Sequence, residues 1–427
     1  MSSLLTYQSE RELAPGTLAR VPLGRRETTG LVWDADFDAL DAAVQPPAET
    51  SQGTVPDAAG IVLRSIIEPM DALPPLPADW RALVEFTARY YQRSLGEVAL
   101  AVLPPELRKL DNTAIAKRIK KRRDHLLPEA VDGSAQPPAL TPEQAAAMDT
   151  LTAWAATPAP APTLLYGVTG SGKTEVYLRL AEQALLAGKQ ALILVPEINL
   201  TPQLEQRFAA RFPGRRLVSL HSALTPAQRL QHWLSAHLGE ADLVLGTRLA
   251  IFASLPRLGL IVVDEEHDPS YKQQDGARYS ARDLAVYRGH LARVPVLLGS
   301  ATPSLETWSH AQTGRYKQVT LADRVGRGAL PTVRLLDMAT VPRAAPRSPP
   351  QAPAPSLIEA IQQRIARGEQ TLLFLNRRGF APVLHCPACT WKSGCPHCSA
   401  WRVFHKGERI LRCHHCGTQE PVPRACP

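Results

Sequence analysis

The chain has 427 residues, of which 44% are hydrophobic and 21% charged, and this balance excludes a largely disordered protein. The formal net charge of +8 permits a polyanionic partner, and no apolar run approaches the roughly 18 residues that a membrane span needs. The start of the chain lacks the basic and apolar segments of a secretory signal, so we predict a cytoplasmic protein.

Residues 1–105 predict a small β-rich domain. Pro15-Gly16 is a turn signal, and short β-type runs occur around Val21 and at Leu31–Trp33. Apolar side chains at helical spacing predict a helix from Trp80 to Tyr91. Residues 106–139 follow as a basic, proline-containing linker, whose many Lys and Arg residues either contact phosphates or form a solvated connector.

Residues 140–330 change to short apolar runs that alternate with helical segments, which is typical of a parallel α/β sheet. The strand candidates are LLY, ALILVP, DLVLGT, LIVVD and VPVLLGS. A proline-rich stretch, Val341–Pro355, then precedes a predicted helix at Ser356–Arg367 and a predicted strand at Thr371–Leu375. We therefore interpret residues 331–385 as a linker and the start of a second α/β lobe.

A phosphate-binding loop is predicted where the first strand of this sheet ends. The loop fits G-x-x-x-x-G-K-[ST] and has a strand before it and a helix after it, as the motif requires. Its glycines let the backbone approach phosphate oxygens, Lys173 is expected to neutralise the β- and γ-phosphates, and Thr174 to ligate Mg²⁺. The residues assigned to nucleotide binding are Gly167, Val168, Thr169, Gly170, Ser171, Gly172, Lys173 and Thr174.

Two adjacent acids complete a Walker B pattern at the end of the strand LIVVD. Asp264 is expected to hold Mg²⁺ through water, and Glu265 to polarise the attacking water molecule. The alternative is a pair of acids that only cap a strand. The P-loop upstream favours the catalytic interpretation, with Lys173, Asp264 and Glu265 as the catalytic set.

Further short motifs follow in a fixed order: VPEINLTPQ at Val195–Gln203, GTR at Gly246–Arg248 and GSATPS at Gly299–Ser304. Together with DEEH they resemble the motifs of superfamily-two helicases, which implies a RecA-like lobe. The resemblance implies that Ser300 and Thr302 hydrogen-bond the Walker B carboxylates. It also implies that Thr247 and Arg248 contact a DNA strand.

A closer resemblance is carried by GVTGSGKTEVYL, DEEHDPSYKQQDGARYSARDLAVYRG and LLFLNRRGFAPVLHC, which look like the PriA family of primosomal replication-restart helicases. PGTLARVPLGRRETTG resembles that family's 3′-DNA-binding domain. Gln144 then becomes the candidate adenine contact, with an ordinary helix-start glutamine as the alternative. An aromatic-rich loop is implied to stack on bases and meet phosphates, with a plain surface loop as the alternative. Its candidate DNA contacts are Tyr271, Lys272, Arg278, Tyr279 and Arg282.

All seven cysteines lie within residues 386–427, in CxxC units that indicate zinc rather than disulfides. One zinc site is predicted from four cysteines that enclose a short loop: Cys395, Cys398, Cys413 and Cys416. An incomplete second site is predicted from Cys386, Cys389 and Cys426, and the PriA resemblance implies the same crossed pairing. Three histidines, His397, His414 and His415, remain possible substitute ligands.

The resemblance implies an ATP-dependent DNA helicase of 3′-to-5′ polarity that recognises stalled or forked DNA and starts primosome assembly to reload the replicative helicase. Its implied cofactors are Zn²⁺ and Mg²⁺ with ATP. The implied partners are forked and single-stranded DNA, primosome proteins and single-strand-binding protein, in the nucleoid region of the cytoplasm. The alternatives are another superfamily-two DNA translocase, or a non-enzymatic zinc-ribbon and DNA-binding scaffold.

Three departures from the family pattern are expected to matter. We expect the first strand of the 1–105 domain to be missing, and residues 106–139 are too short for a winged-helix domain. Residues 386–427 are interpreted as an incomplete zinc region, which leaves lobe two without its arginine finger. We therefore expect this chain to bind nucleotide and DNA but to hydrolyse ATP poorly.

Overall fold

The computed structural model describes residues 5–34, 63–124, 137–196, 201–274, 276–326, 332–337, 354–374, 380–386, 388–397, 401–413 and 417–425. The chain divides into two compact units, Met1–Ala329 and Leu330–Pro427. None of the helices within these described ranges is both long and apolar enough to span a membrane.

The first unit begins with a small antiparallel sheet. Strands β1 (Leu18–Leu23) and β2 (Arg26–Leu31) form a hairpin, and β3 (Glu68–Pro69) pairs with the other edge of β1. The turn between β1 and β2 contains Gly24 at φ +62°, a conformation that glycine adopts without a steric penalty. Strand β1 confirms the run predicted around Val21, whereas β2 ends at Leu31, so most of the run predicted at Leu31–Trp33 lies just beyond it.

Helices α1 (Ala78–Tyr90) and α2 (Leu95–Val102) follow the small sheet, and α1 confirms the helix predicted from Trp80 onward. Residues 106–124, expected to be part of a linker, instead form the end of a short 3-10 helix and helix α3 (Asn112–Asp124). The reason is that Ile115 and Ile119 are spaced one helical turn apart among the cations and are buried.

The remainder of the first unit is a parallel sheet, seven-stranded in the described residues, with the order β10-β4-β9-β8-β5-β7-β6. The five inner strands are those predicted from continuous apolar runs, and the two edge strands β6 and β10 were not predicted. The strands are β4 (Thr163–Gly167), β5 (Gln190–Leu194), β6 (Leu217–Leu220), β7 (Leu243–Gly246), β8 (Leu258–Val263), β9 (Val296–Ser300) and β10 (Lys317–Leu321).

Helices connect these strands and pack on the sheet. Thr141 and Gln144 form a capping box at the start of the first of them, which satisfies two backbone amides. The helices are α4 (Pro142–Ala155), α5 (Lys173–Leu186), α6 (Thr201–Arg211), α7 (Pro226–His237), α8 (Ala281–Ala292) and α9 (Leu305–Gln312). Two 3-10 helices, Arg248–Phe252 and Pro269–Tyr271, occupy loops after strands β7 and β8.

The helical N-terminal part and the parallel sheet share one buried core. Three consecutive carbonyls at the end of the 3-10 helix Arg248–Phe252 accept hydrogen bonds from two fully buried side chains. Trp80 donates to the Phe252 carbonyl at 2.7 Å, and Arg288 donates to those of Ile251 and Ala253 at 2.6 and 2.7 Å. Burial lowers the pKa of Arg288 to about 10, although Asp79 opposes this. The Trp80 hydrogen bond joins the N-terminal part to the sheet domain, and the two Arg288 hydrogen bonds hold the same segment within the sheet domain.

His237 makes a second buried contact between the same two parts. Its Nε2 lies 3.0 Å from the Pro74 carbonyl oxygen and its Nδ1 lies 2.8 Å from the Ser254 hydroxyl, so a neutral ring protonated at Nε2 satisfies both. Burial lowers the pKa of His237 to about 4, although the Pro74 hydrogen bond opposes this. The folded state therefore holds this histidine neutral.

We expect this histidine to make the first unit acid-sensitive. Between pH 6.5 and about 4 the unfolded chain binds a proton that the native His237 does not, so stability falls as the pH falls through this window. The loss from pH 7 to pH 5 should be about 2 kcal/mol. Urea unfolding at both pH values measures it, with His237→Gln as the comparison. An equal acid loss in both proteins would contradict the assignment.

The second unit contains helix α10 (Pro355–Ala366) and an antiparallel sheet, which in the described residues has the order β11 (Val403–His405), β12 (Ile410–Arg412) and β13 (Gln419–Pro421). The helix confirms the prediction at Ser356–Arg367. The strand predicted at Thr371–Leu375 does not form over its described residues 371–374. Those residues are exposed and pair with no described strand, and an apolar run without a partner strand makes no ladder.

Candidate functional site

A pocket of about 600 Å³ lies at the carboxyl ends of strands β4 and β8, the edge at which parallel α/β sheets place their ligands. It brings the predicted phosphate-binding loop and both Walker B acids together. Its lining residues include Thr169, Gly170, Ser171, Gly172, Lys173, Thr174, Asp264 and Glu265, with Arg207 and Arg211 from helix α6. These two arginines belong to none of the predicted motifs.

The loop after β4 has the shape of an anion cradle. Gly172 adopts φ +82°, and a Cβ atom there would lie 2.2 Å from the Gln144 side-chain nitrogen, so only glycine fits. Lys173 donates to the Gly167 carbonyl at 2.9 Å. The buried Ser171 hydroxyl has no hydrogen-bond partner among the described residues. The unpaired Ser171 hydroxyl and the two remaining N–H donors of the Lys173 ammonium match the needs of nucleotide phosphates.

Gln144 differs from its expected role as an adenine contact. Its side-chain oxygen accepts from the Thr141 amide at 3.0 Å, and its nitrogen donates to the Ser171 carbonyl at 2.9 Å. Both ends of the amide are therefore used within the fold, because the capping box and the phosphate loop meet at this side chain. Gln144 supports the loop from behind.

The two Walker B acids have different surroundings. Asp264 Oδ1 accepts hydrogen bonds from the Tyr177 hydroxyl at 2.9 Å and the Glu265 amide at 3.1 Å. Burial raises the pKa of Asp264, although the Tyr177 hydrogen bond and Lys173 oppose this. Glu265 has φ +45°, and one of its carboxylate oxygens lies 4.0 Å from Lys173 Nζ. The lysine predicted to bind phosphate and the acid predicted to orient water thus share one pocket.

Ser300 and Thr302 contact the histidine of DEEH and not the two Walker B carboxylates. The Ser300 hydroxyl lies 2.8 Å from His267 Nδ1, and the Thr302 hydroxyl lies 3.3 Å from His267 Nε2. His267 Nδ1 is in turn 3.7 Å from a Glu265 carboxylate oxygen. The expected direct contact is therefore replaced by one through His267, because the imidazole lies between the two motifs.

Arg282 differs from its expected role as a phosphate contact. Its guanidinium donates to the Ser304 hydroxyl at 2.7 Å and lies 3.4 Å from the buried carboxylate of Glu266. Burial lowers the pKa of Arg282, but the carboxylates of Asp283 and Glu266 raise it by a larger amount. The pKa of Arg282 is therefore higher than its usual value. Glu266 also accepts from the Ser304 amide at 2.7 Å and the Thr307 hydroxyl at 2.8 Å. A buried carboxylate needs such partners, and the Arg282 side chain is used as one of them within the fold.

Tyr271 and Tyr279 do not present their rings for base stacking, since both are buried. The Tyr271 hydroxyl donates to the Asp264 carbonyl at 2.6 Å, and the Tyr279 ring packs edge-on against Phe252 with centroids 5.1 Å apart. Burial raises the pKa of Tyr279 to about 12, although Arg248 opposes this. The rings fill the space beneath the loop, so the aromatic-rich loop is anchored by its own tyrosines.

Four candidate DNA contacts remain, of which Arg248 and Thr247 are partly buried and line the same cavity, whereas Lys272 and Arg278 are exposed. Arg248 donates to the Ser270 carbonyl at 2.7 Å and to the Lys272 carbonyl at 3.2 Å, so it ties the loop to the sheet. The cavity has a volume of about 910 Å³ and is separate from the pocket of the phosphate-binding loop. Thr247, Lys272 and Arg278 are accessible to a polyanion.

Of the predicted zinc ligands, Cys386, Cys389, Cys395 and Cys413 belong to the described residues. Cys398, Cys416 and Cys426 lie outside them. Within the described part of the chain no group of three or more His, Cys, Asp or Glu side chains is placed to hold a metal. The donor set of paired thiols beside a short antiparallel sheet nevertheless fits a zinc ribbon.

Three family models match different parts of the chain. The 3′DNA-binding domain model matches residues 1–104, and the DEAD/DEAH box helicase model matches residues 141–310. The model of the PriA DNA helicase Cys-rich region matches residues 395–421. The helicase match indicates Mg²⁺ and ATP as ligands, and the Cys-rich match indicates Zn²⁺.

Curated relatives named replication restart protein PriA match long stretches of the chain. The Haemophilus influenzae protein is 48% identical over 62% of this chain and 35% of its own length. The Bacillus subtilis protein is 45% identical over 62% and 32%, and the Rickettsia felis protein 36% identical over 96% and 57%. Among solved structures, RecG bound to a three-way DNA junction is 20% identical over 68% of this chain and 34% of its own, with a TM-score of 0.39, which is too weak to carry an argument.

The phosphate loop, the Walker B acids and the parallel sheet together define the first RecA-like lobe of a DEAD/DEAH-type helicase. The 3′DNA-binding domain model and the Cys-rich region model match outside this lobe, and the curated relatives are named replication restart protein PriA. The chain belongs to the PriA family of replication restart proteins. It spans less than two thirds of the length of the relatives it matches.

Proposed function

We propose that this chain carries the nucleotide-binding lobe and DNA-binding parts of an ATP-dependent 3′-to-5′ DNA helicase of replication restart. The observation that carries the proposal is the 4.0 Å separation of Lys173 Nζ and Glu265 Oε1 within one pocket. A cation for the phosphates and a carboxylate for the attacking water are the two charges that phosphoryl transfer to water needs.

The residues of the pocket divide the work of ATP hydrolysis among them. Lys173 exchanges its bond with the Gly167 carbonyl for one with a phosphate oxygen, and the loop amides hold the remaining oxygens. The Thr174 hydroxyl and the Asp264 carboxylate supply the hard oxygen donors for Mg²⁺. Magnesium, when bound, neutralises phosphate charge. Glu265, which is partly exposed, orients the attacking water.

The proposed DNA partner is a forked substrate whose single strand crosses the 910 Å³ cavity. This cavity is lined both by the N-terminal part, through residues such as Pro104, and by sheet-domain loops that include Thr247 and Ser270. Exposed Lys272 and Arg278 lie on the loop whose Ser270 and Gln273 line the cavity, where they meet backbone phosphates. Primosome proteins and single-strand-binding protein are the proposed protein partners, at the nucleoid.

DNA-stimulated ATP hydrolysis, although expected to be slow in this chain, tests this function. Glu265→Gln should lower turnover by roughly 10²- to 10⁴-fold, since it removes the group that activates water, and should leave nucleotide binding almost unchanged. Glu306→Gln, an acid on an exposed helix face, is the matched control. Unwinding of a forked duplex separates a helicase from a translocase. Turnover that ignores DNA or the Glu265 change would refute the proposal.

For zinc we propose two sites, one from Cys395, Cys398, Cys413 and Cys416 and one that includes Cys386, Cys389 and Cys426. Two CxxC units together supply the four thiolates of one tetrahedral zinc site. The match of the Cys-rich model to residues 395–421 supports the first site, whose four cysteines all fall inside it.

Loss of one thiolate from the first site should release one zinc ion. Cys395→Ser is expected to lower the bound zinc by one ion per chain and to unfold the small sheet, because structural zinc supplies folding free energy. Mass spectrometric metal analysis and proteolysis measure both effects. Glu408→Ala, an exposed residue of the same unit, serves as the control. Full zinc content in the Cys395 variant would exclude it as a ligand.

A further inference from the structure

Among the described residues, Tyr177 is the buried side chain that donates a hydrogen bond to the carboxylate of Asp264, the acid proposed to bind magnesium. It lies on helix α5 four residues after Lys173, so both side chains project from the same face of that helix. The Tyr177 ring is 1% exposed, and its hydroxyl donates to Asp264 Oδ1 at 2.9 Å. The P-loop helix thus supplies a group for the phosphates and a group for the acid.

The sheet reserves space for this hydroxyl. Gly299 lies on β9, which runs between β4 and β8, and a Cβ atom at this position would lie 1.7 Å from the Tyr177 hydroxyl oxygen. Its backbone needs no left-handed conformation, so the glycine is required by the tyrosine and not by the chain path. Two positions on different elements therefore serve one hydrogen bond.

That hydrogen bond determines how the carboxylate is presented. Asp264 Oδ1 accepts from both the Tyr177 hydroxyl and the Glu265 amide. Within the described residues, no protein group donates to Oδ2. The two hydrogen bonds to Oδ1 fix the orientation of the Asp264 carboxylate. Its Oδ2 atom stays available to a ligand in the pocket that Asp264 lines.

We propose that Tyr177 is a positioning residue that orients Asp264 for magnesium and so sets the affinity of the chain for the Mg²⁺–nucleotide complex. The inference rests on the proposed function, since it assumes that Asp264 and Thr174 bind Mg²⁺. A hydrogen bond that locks a metal-binding carboxylate typically changes metal affinity by about 10- to 100-fold when it is lost.

Binding of a fluorescent ATP analogue to the 427-residue chain tests the role without requiring turnover. Affinity is measured in excess EDTA and across a magnesium titration. For Tyr177→Phe we expect the half-saturating Mg²⁺ concentration to rise by roughly 10-fold, with the magnesium-free affinity within about twofold of the parent. Tyr91→Phe is the control, because it removes a hydroxyl that accepts from the Ser280 amide away from the pocket.

A second variant separates positioning from packing. Gly299→Ala should displace the Tyr177 hydroxyl and raise the half-saturating Mg²⁺ concentration in the same direction, and thermal unfolding reports whether each variant is folded. An unchanged magnesium titration in folded Tyr177→Phe would overturn the proposal, as would equal losses with and without Mg²⁺. Failure of the parent chain to bind the analogue would instead refute the proposed function.

Discussion

Lys173→Ala should weaken binding of the Mg²⁺–ATP complex by roughly 10- to 100-fold, equivalent to about 1.4–2.8 kcal/mol. In the structure this ammonium is buried at the mouth of the P-loop and donates to the Gly167 carbonyl, so it is already placed where phosphate oxygens arrive. Its removal takes away the only lysine that lines the described pocket. DNA-stimulated hydrolysis should fall still further, because the same charge stabilises the transferring phosphoryl group.

Calorimetric titration with the ATP complex measures the binding loss directly. Lys189→Ala is the matched control, since Lys189 is exposed and precedes strand β5 at the amino edge of the sheet, opposite the pocket. Lys173→Ala should remain folded. The Gly167 carbonyl loses its lysine donor, but water can reach this carbonyl once the lysine side chain is gone. Parent-like affinity in Lys173→Ala would show that the nucleotide binds elsewhere.

Arg288→Leu should lower the free energy of unfolding of the first unit by about 3–5 kcal/mol. The leucine leaves the Ile251 and Ala253 carbonyls buried without donors, and each unsatisfied group costs about 1–3 kcal/mol. Relief of the buried charge offsets part of this cost, since burial already lowers the pKa of Arg288 to about 10. The net effect remains strongly destabilising.

Chemical unfolding followed by tryptophan fluorescence measures the change, because Trp80 lies in the same core. Arg89→Ala is the control, an exposed arginine paired with Glu85 one turn away, for which a change below about 0.5 kcal/mol is expected. If Arg288→Leu unfolds at the same denaturant concentration as the parent, the two hydrogen bonds of Arg288 contribute nothing to stability.

The sequence was sufficient to predict the inner strands of the sheet but not its edges. β5 and β8 are buried on both faces and appear as unbroken apolar runs, whereas β10 reads KQVTL and alternates between exposed and buried residues. An edge strand needs only one apolar face, so its pattern resembles a loop. The same limit applies to α3, whose two buried isoleucines are outnumbered by cations.

Site residues divide by how local their signal is. The P-loop and the Walker B acids are contiguous motifs next to predicted strands, and the structure brings them together in one pocket. Whether Tyr271 stacks on a base or packs beneath its own loop depends on contacts with Asp264, which no local pattern encodes. Tyr177 had a usable signal, since it lies four residues after Lys173 on the helix that the motif predicts.

The contact of Trp80 and Arg288 with the segment Ile251–Ala253 has a mechanical consequence. This segment closely follows the Thr247-Arg248 motif in the chain. A displacement of the N-terminal part is therefore transmitted to the loops at the carboxyl edge of the sheet. The buried Trp80 hydrogen bond couples the N-terminal part to this loop. In the proposed helicase, a DNA strand end bound by the N-terminal part would therefore move together with the nucleotide-binding lobe.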